Sequence, residues 1–244
     1  MEDLIYIAIV ALLAGLIKGI GGFGSSLVTI PLLLYVFEIE AIVIMMITFS
    51  VLLNAMLLFE NKGFKKKNIE NISLLLIFGI IGTGIGVVLL TALSGAHITI
   101  IAAILLLVAA VMQSYKLLVK NPLILKDTKV FQGAIGLISG VGNGIASVDG
   151  PPVIFYLVST GADKVRFKNT AAPHFLIMSV AGVVLHFIAG NYTLDIIKYT
   201  GYMAIFAAIG LVVGMIISKR LNERHFQIAV VIILFGLATK MLFF

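Results

Sequence analysis

The sequence predicts an all-α polytopic membrane protein made of two inverted repeats, each a broken, re-entrant helical hairpin followed by three transmembrane helices. Three observations lead there. First, of 244 residues 61% are hydrophobic and 11% charged, with a mean hydropathy of +1.19, whereas a soluble domain is about 45 to 50% apolar and about 25% charged. Second, the chain matches itself without a gap at an offset of 121, which lays Gly15 on Gly136, Gly19 on Gly140, Gly21 on Gly142 and Pro31 on Pro152. Third, lysine and arginine cluster between the apolar runs, so that one topology gathers nearly all of them on one side.

The first repeat, 1–121, opens with a hairpin over 4–37. Leu4 to Ile17 is apolar for 14 residues and Ser25 to Phe37 for 13. At 1.5 Å per residue each arm reaches roughly 20 Å, short of a hydrocarbon core of about 30 Å. The arms join through Lys18 to Gly24, a glycine-rich break inside an apolar run, where exposed backbone is tolerated only if a protein cavity wants it. Spans follow at 41–59, 72–92 and 98–118, the second carrying Gly82, Gly84 and Gly86 as a stripe for close helix approach.

The second repeat, 122–244, takes the same order: a hairpin over 130–159, then spans at 170–189, 196–218 and 226–243. Thr170 answers Thr48 at an offset of 122; Gly210, Gly214 and His225 answer Gly82, Gly86 and His97 at 128. Recurrence of order, spacing and small residues marks a duplication.

Charge chooses the topology. With re-entrant hairpins the halves are inverted, and the cytoplasmic loops collect clusters of four, four, three and three of the 17 lysines and arginines, from Lys62 to Lys67, Lys116 to Lys129, Lys164 to Lys168 and Lys219 to Arg224. Lys198 and Lys240 stay outside with Glu2, Asp3, Glu38 and Glu40, and Lys18 stays in the membrane. If each broken segment crossed once, the last two clusters would be misplaced outside.

Inverted halves with broken helices imply alternating access around a midplane site. The second arms start with Ser25 and Ser26, and with Ser147, Asp149, Pro151 and Pro152, which is helix-start chemistry. Two helix N-termini then point at the centre, each with unsatisfied N–H groups and partial positive charge, and Lys18 adds a full one. The substrate site is read as Lys18, Gly21, Gly22, Phe23, Ser25, Ser26, Asn54, Asn143, Ser147, Gly150, Pro151 and Thr170, holding one small anion. Asp149 and His174 are candidates for proton coupling, against flux driven by the substrate gradient and membrane potential. Gly19, Gly21, Gly22 and Gly24 are assigned to the site; Gly82, Gly86, Gly210 and Gly214 to helix packing. His97, His186 and His225, near helix ends, are expected at the interface.

Other classes fall away. The string from Gly19 to Gly24 fits G-x-G-x-x-G, but no strand precedes it. No nucleophile with its base, no H-E-x-x-H and no acid or histidine cluster is present among 11 acids and 4 histidines, so neither catalysis nor a metal or cofactor is expected. The charge of +6 lies in loops, which argues against nucleic acid as a partner. With no cysteine, thiolate chemistry is excluded. An anion channel and a non-catalytic assembly subunit are the remaining alternatives; the expected partners are a small anion and the bilayer, and the glycine stripes permit a homodimer.

The segment GLIKGIGGFGSSLVTIPLLL from Gly15, and Gly150-Pro151-Pro152 followed by Arg166, Lys168, Asn169 and Thr170, resemble the sulfite exporter TauE/SafE family of bacterial and archaeal membrane permeases. The resemblance covers essentially the whole chain. It implies export or uptake of small sulfur-containing or organic anions such as sulfite, sulfoacetate or other organosulfonates, across the cell membrane. One departure is visible. The second copy reads Gly142-Asn143-Gly144-Ile-Ala-Ser147-Val-Asp149, where such proteins run more purely through glycines, which singles out Asn143 and Asp149 as positions that tune the substrate.

Overall fold

The structure, a computed structural model, describes residues 2–61, 72–118, 124–162, 164–220 and 223–243. Among them are ten helices and no strand: α1 Glu2–Gly21, α2 Ser25–Leu33, α3 Ile39–Asn61, α4 Ser73–Ala92, α5 Gly95–Leu118, α6 Lys129–Ala146, α7 Gly150–Ser159, α8 Lys164–Ile188, α9 Leu194–Ser218 and α10 Glu223–Phe243. The basic stretch from Lys62 to Lys67, with Lys120, lies outside the described residues. Six helices are long and apolar enough to cross a membrane. They bury one face and leave isoleucine and valine exposed on the other, as at Ile81 and Val88 of α4 and Ile209 and Ile216 of α9, which suits lipid.

The set of six differs from the expected one. The first arm was expected to stop at Ile17, but α1 runs on through Lys18 to Gly21, and its 20 residues reach about 30 Å. The reason is tertiary: Gly19 lies against Leu211 and Gly214 of α9, so the last turn is held by a neighbouring backbone. At the other end of the chain α10 runs for 21 residues from Glu223 to Phe243, over the span expected at 226–243.

Both broken segments fold back on themselves. The Tyr6 hydroxyl, near the start of α1, donates to the Leu32 carbonyl near the end of α2 at 2.7 Å. A continuous helix would hold these two, 26 residues apart, roughly 39 Å from each other. In the second segment the Leu125 N–H meets the Ser159 carbonyl at 2.6 Å. The Tyr156 hydroxyl donates to Asp127 at 2.8 Å, and Arg166 forms an ion pair with the same carboxylate at 2.6 Å. The end of α7 is thereby pinned to the start of α6 and of α8.

Glycine sets which helices pair. Gly15 and Gly19 of α1 lie on the backbone of α9 from Ala207 to Met215, and Gly210 and Gly214 return the contact on Leu12, Leu16 and Gly19. In the same way Gly79, Gly82 and Gly86 of α4 meet Gly136, Gly140 and Gly144 of α6. Both pairs run parallel, with backbones so close that a Cβ at most of these positions would enter the facing main chain. Gly84 has nothing within 4 Å and is no part of the stripe. Helix α3 packs on α8 in antiparallel register, since Gly182 opposes Ile47 while Asn54 reaches Phe175 and Ser179. The last major pair is α5 with α10.

Candidate functional site

The two breaks are built differently. In the first, Gly22 (φ 78°) and Gly24 (φ 88°) both adopt the left-handed conformation and turn the chain within three residues. In the second, Ser147 does so at φ 52°. Its N–H bonds the Asn143 carbonyl at 2.8 Å and the Val148 N–H bonds Gly142 at 2.9 Å. A serine in this conformation costs roughly 1–3 kcal/mol.

Each second arm was expected to be capped by serine or Asp149. Asp149 does take the N-cap position of α7, while Gly24 and not a serine takes that of α2, and neither cap makes a side-chain hydrogen bond. The first turn of α2 leaves the N–H groups of Ser25 and Ser26 to whatever occupies the space in front of them, whereas α7 has only that of Gly150 to offer there, because Pro151 and Pro152 carry none.

That space is shared. The Ser26 hydroxyl donates to the Ser147 hydroxyl at 3.2 Å, between positions 121 apart, so equivalent atoms of the two copies touch. Between the tips lies a cavity of about 30 Å³. The first hairpin lines it with Lys18, Phe23, Gly24, Ser25 and Ser26, and the second with Asn143, Ser147, Asp149, Gly150 and Pro151. Helix α3 contributes Ser50 and Asn54, and α8 Phe175 and Ser179. Lys18 is 5% exposed; among the described residues no side-chain hydrogen bond or ion pair within 4 Å holds its ammonium.

Asn54 donates to the Phe175 carbonyl at 2.9 Å and the Ser179 hydroxyl at 3.2 Å, which leaves its buried Oδ1 without a partner. Asn143 donates to the Met178 carbonyl at 2.9 Å and to Thr83 at 3.3 Å, joining α6 to α8 and α4.

Several expected site residues stand elsewhere. Gly21, Gly22, Thr170 and His174 are not on the cavity wall, and Gly19 is a packing contact. His174 is fully buried behind the second break; its Nε2 lies 3.4 Å from the Ser139 hydroxyl, which donates to the Asp149 carbonyl at 2.9 Å. Ser50, Phe175 and Ser179 were not anticipated. The signal was there, because Phe175 is Asn54 plus the repeat offset, and Ser50 and Ser179 lie one turn from each.

His186 lies two residues from the end of α8, as expected, but inside the protein and not on its surface. It is 0% exposed, with Nδ1 against the Asn191 amide at 2.9 Å and Nε2 unpartnered. His97 is exposed beside Ser94, and the side chain of His225 lies outside the described residues. Beyond His186 opens a cavity of about 610 Å³ lined by Glu38, Glu40, Asn191 and Asp195. Thr48 and Tyr192, the latter next in sequence to Asn191 of that wall, share a 2.6 Å hydrogen bond. Thr48 already donates to the Ile44 carbonyl, so Tyr192 is the donor, and burial holds its phenol above the ordinary range.

Two helix starts without side-chain caps and the Lys18 ammonium, with the Asp149 carboxylate on the same wall, face one cavity and can hold a small anion. Among the described residues no group of three His, Cys, Asp or Glu is placed to hold a metal ion. Compared with known proteins, the family model described as sulfite exporter TauE/SafE matches residues 7–241. No curated protein and no solved structure matches.

Proposed function

The chain belongs to the sulfite exporter TauE/SafE family and is a multi-pass membrane protein of transporter type, and from that premise we propose that it carries a small anion, sulfite or an organosulfonate, outward across the plasma membrane by alternating access. The observation that carries this reading is the convergence of Lys18 and the starts of α2 and α7, without side-chain caps, on one cavity. Lys18 shares the cavity wall with one carboxylate, Asp149, and no ion pair within 4 Å fixes its ammonium among the described residues, so an anion from solution can take it as counter-ion.

Alternating access needs two halves that exchange roles, and we read residues 1–121 and 122–244 as inverted repeats with re-entrant hairpins. Three features support this. The pair α1 with α9 has its counterpart in α6 with α4, as an exchange of equivalent helices requires. The equivalent helices α3 and α8 run antiparallel. Glu38, Glu40 and Asp195 share the wide cavity at one end, whereas Arg166 sits at the start of α8 and Lys219 and Arg220 at the end of α9, the opposite end. The positive end is cytoplasmic in this arrangement.

The test is anion flux in proteoliposomes with sulfite, thiosulfate and organosulfonates. Saturable flux that falls at least tenfold in Lys18→Ala is expected. Flux untouched by that substitution moves the site away from the breaks, and absence of flux with every anion rejects the reading.

A further inference from the structure

Two charged groups face the central cavity, and they come from different copies: Lys18 from α1 and Asp149 from between α6 and α7. The remaining wall is uncharged, with Ser25 and Ser26 from α2, Ser50 and Asn54 from α3, and Phe175 and Ser179 from α8. Behind it stands the histidine of α8, His174, which touches Asp149 only through Ser139 and the main chain. We propose that the site takes a monoanion together with one proton, and that Asp149 carries the proton. This rests on the anion-transport reading above and adds its coupling and the charge of its substrate.

The argument is charge balance. With Lys18 protonated and Asp149 ionised, the empty cavity is neutral. A monoanion entering this cavity, among side chains that are themselves buried, brings a net negative charge that no second cation on the wall answers, and such a charge is disfavoured in low dielectric. One proton cancels it. On the loading side an Asp149 carboxylate oxygen takes a proton from hydronium, whose O–H bond breaks to leave water as the carboxyl O–H forms; this frees Lys18 to pair with the anion and gives the carboxyl a hydrogen to donate. On the releasing side the anion leaves and the same O–H bond breaks to water. One anion and one proton have crossed and no net charge has moved.

A dianion would need two protons, and the cavity offers one carboxylate. The transported form is therefore the singly charged one, bisulfite or a sulfonate. His174 is a positioning residue in this scheme: it holds Ser139 and, through it, the Asp149 main chain.

The experiment uses the full chain in proteoliposomes with an entrapped pH dye, potassium and valinomycin to set the potential, and methanesulfonate and 2-hydroxyethanesulfonate as probes, since both remain monoanions. An inward anion gradient is expected to acidify the lumen by one proton per anion, at a rate that changes less than twofold when the potential is reversed. Asp149→Asn is expected to abolish the acidification and make residual flux follow the potential, while His174→Gln and Asp149→Glu keep the one-to-one count. Wild-type anion flux that follows the potential without acidification overturns the proposal, as does a proton count of one in Asp149→Asn. Absence of wild-type flux for both probes and for sulfite rejects the transport reading itself, and this proposal with it.

Discussion

Asn54 and Asn143 are both buried asparagines on membrane helices, yet their surroundings assign them different work. Asn143 has its amide donors on Met178 and Thr83 and ties three helices together. Asn143→Leu forfeits those bonds, and a lower melting temperature in detergent is expected, equivalent to about 1–3 kcal/mol. Asn54 keeps an unpartnered Oδ1 beside the cavity. Asn54→Leu removes that orphan along with two bonds, so its melting temperature is expected to fall less than that of Asn143→Leu, while its anion flux falls more. The reverse order in the two assays would exchange the roles. Both asparagines were singled out in the sequence and both line the cavity; which one ties three helices and which one keeps a free acceptor depends on partners 35 to 125 positions away.

At the scale of helices, glycines that look alike in sequence separate into turns, crossings and open surface. A Cβ at Gly140 would run into the Gly79 carbonyl and the Thr83 nitrogen, both main-chain atoms that cannot swing aside. Gly140→Val therefore has to part α4 from α6 and is expected to leave little folded protein, read as loss of the monodisperse peak in detergent. Gly84, two positions from Gly82 and Gly86, has no neighbour within 4 Å. Gly84→Ala is expected to raise stability by about 0.5–1 kcal/mol through helix propensity alone, seen as a higher melting temperature. The crossing glycines fall at four-residue spacing, Gly15 with Gly19, Gly82 with Gly86 and Gly210 with Gly214, which is the part of the pattern that hydropathy reveals. The role of Gly19 was hidden because it sits beside a break and serves the crossing.

In the molecule as a whole, the contact of Ser26 with Ser147 is where the tips of the two broken segments meet. A chain without cysteine allows a clean test. Ser26→Cys with Ser147→Cys is expected to form a disulfide under mild oxidation, its sulfurs replacing hydroxyls now 3.2 Å apart. The bond should stop anion flux until a reductant is added, because rocking of the halves moves the tips. A double variant that resists oxidation would mean that the tips do not meet. Single cysteines report orientation: Glu38→Cys is expected to label from outside and Arg220→Cys from inside, and labelling of both from one side would rule out the inverted arrangement.

Composition and self-similarity were enough to place this chain among all-α membrane proteins, to locate two glycine-rich breaks at a fixed offset and to point to the TauE/SafE family, because hydropathy, spacing and breaker residues are properties of the chain read along its length. Tertiary structure alone decided that α1 continues to Gly21, that Gly19 packs while Gly22 and Gly24 turn, that His186 is buried, and that Ser50, Phe175 and Ser179 share a wall with Lys18. Those outcomes follow from which helix faces which. That choice is made by backbone contacts between segments about 60 to 200 positions apart, where no local pattern in the sequence records the partner.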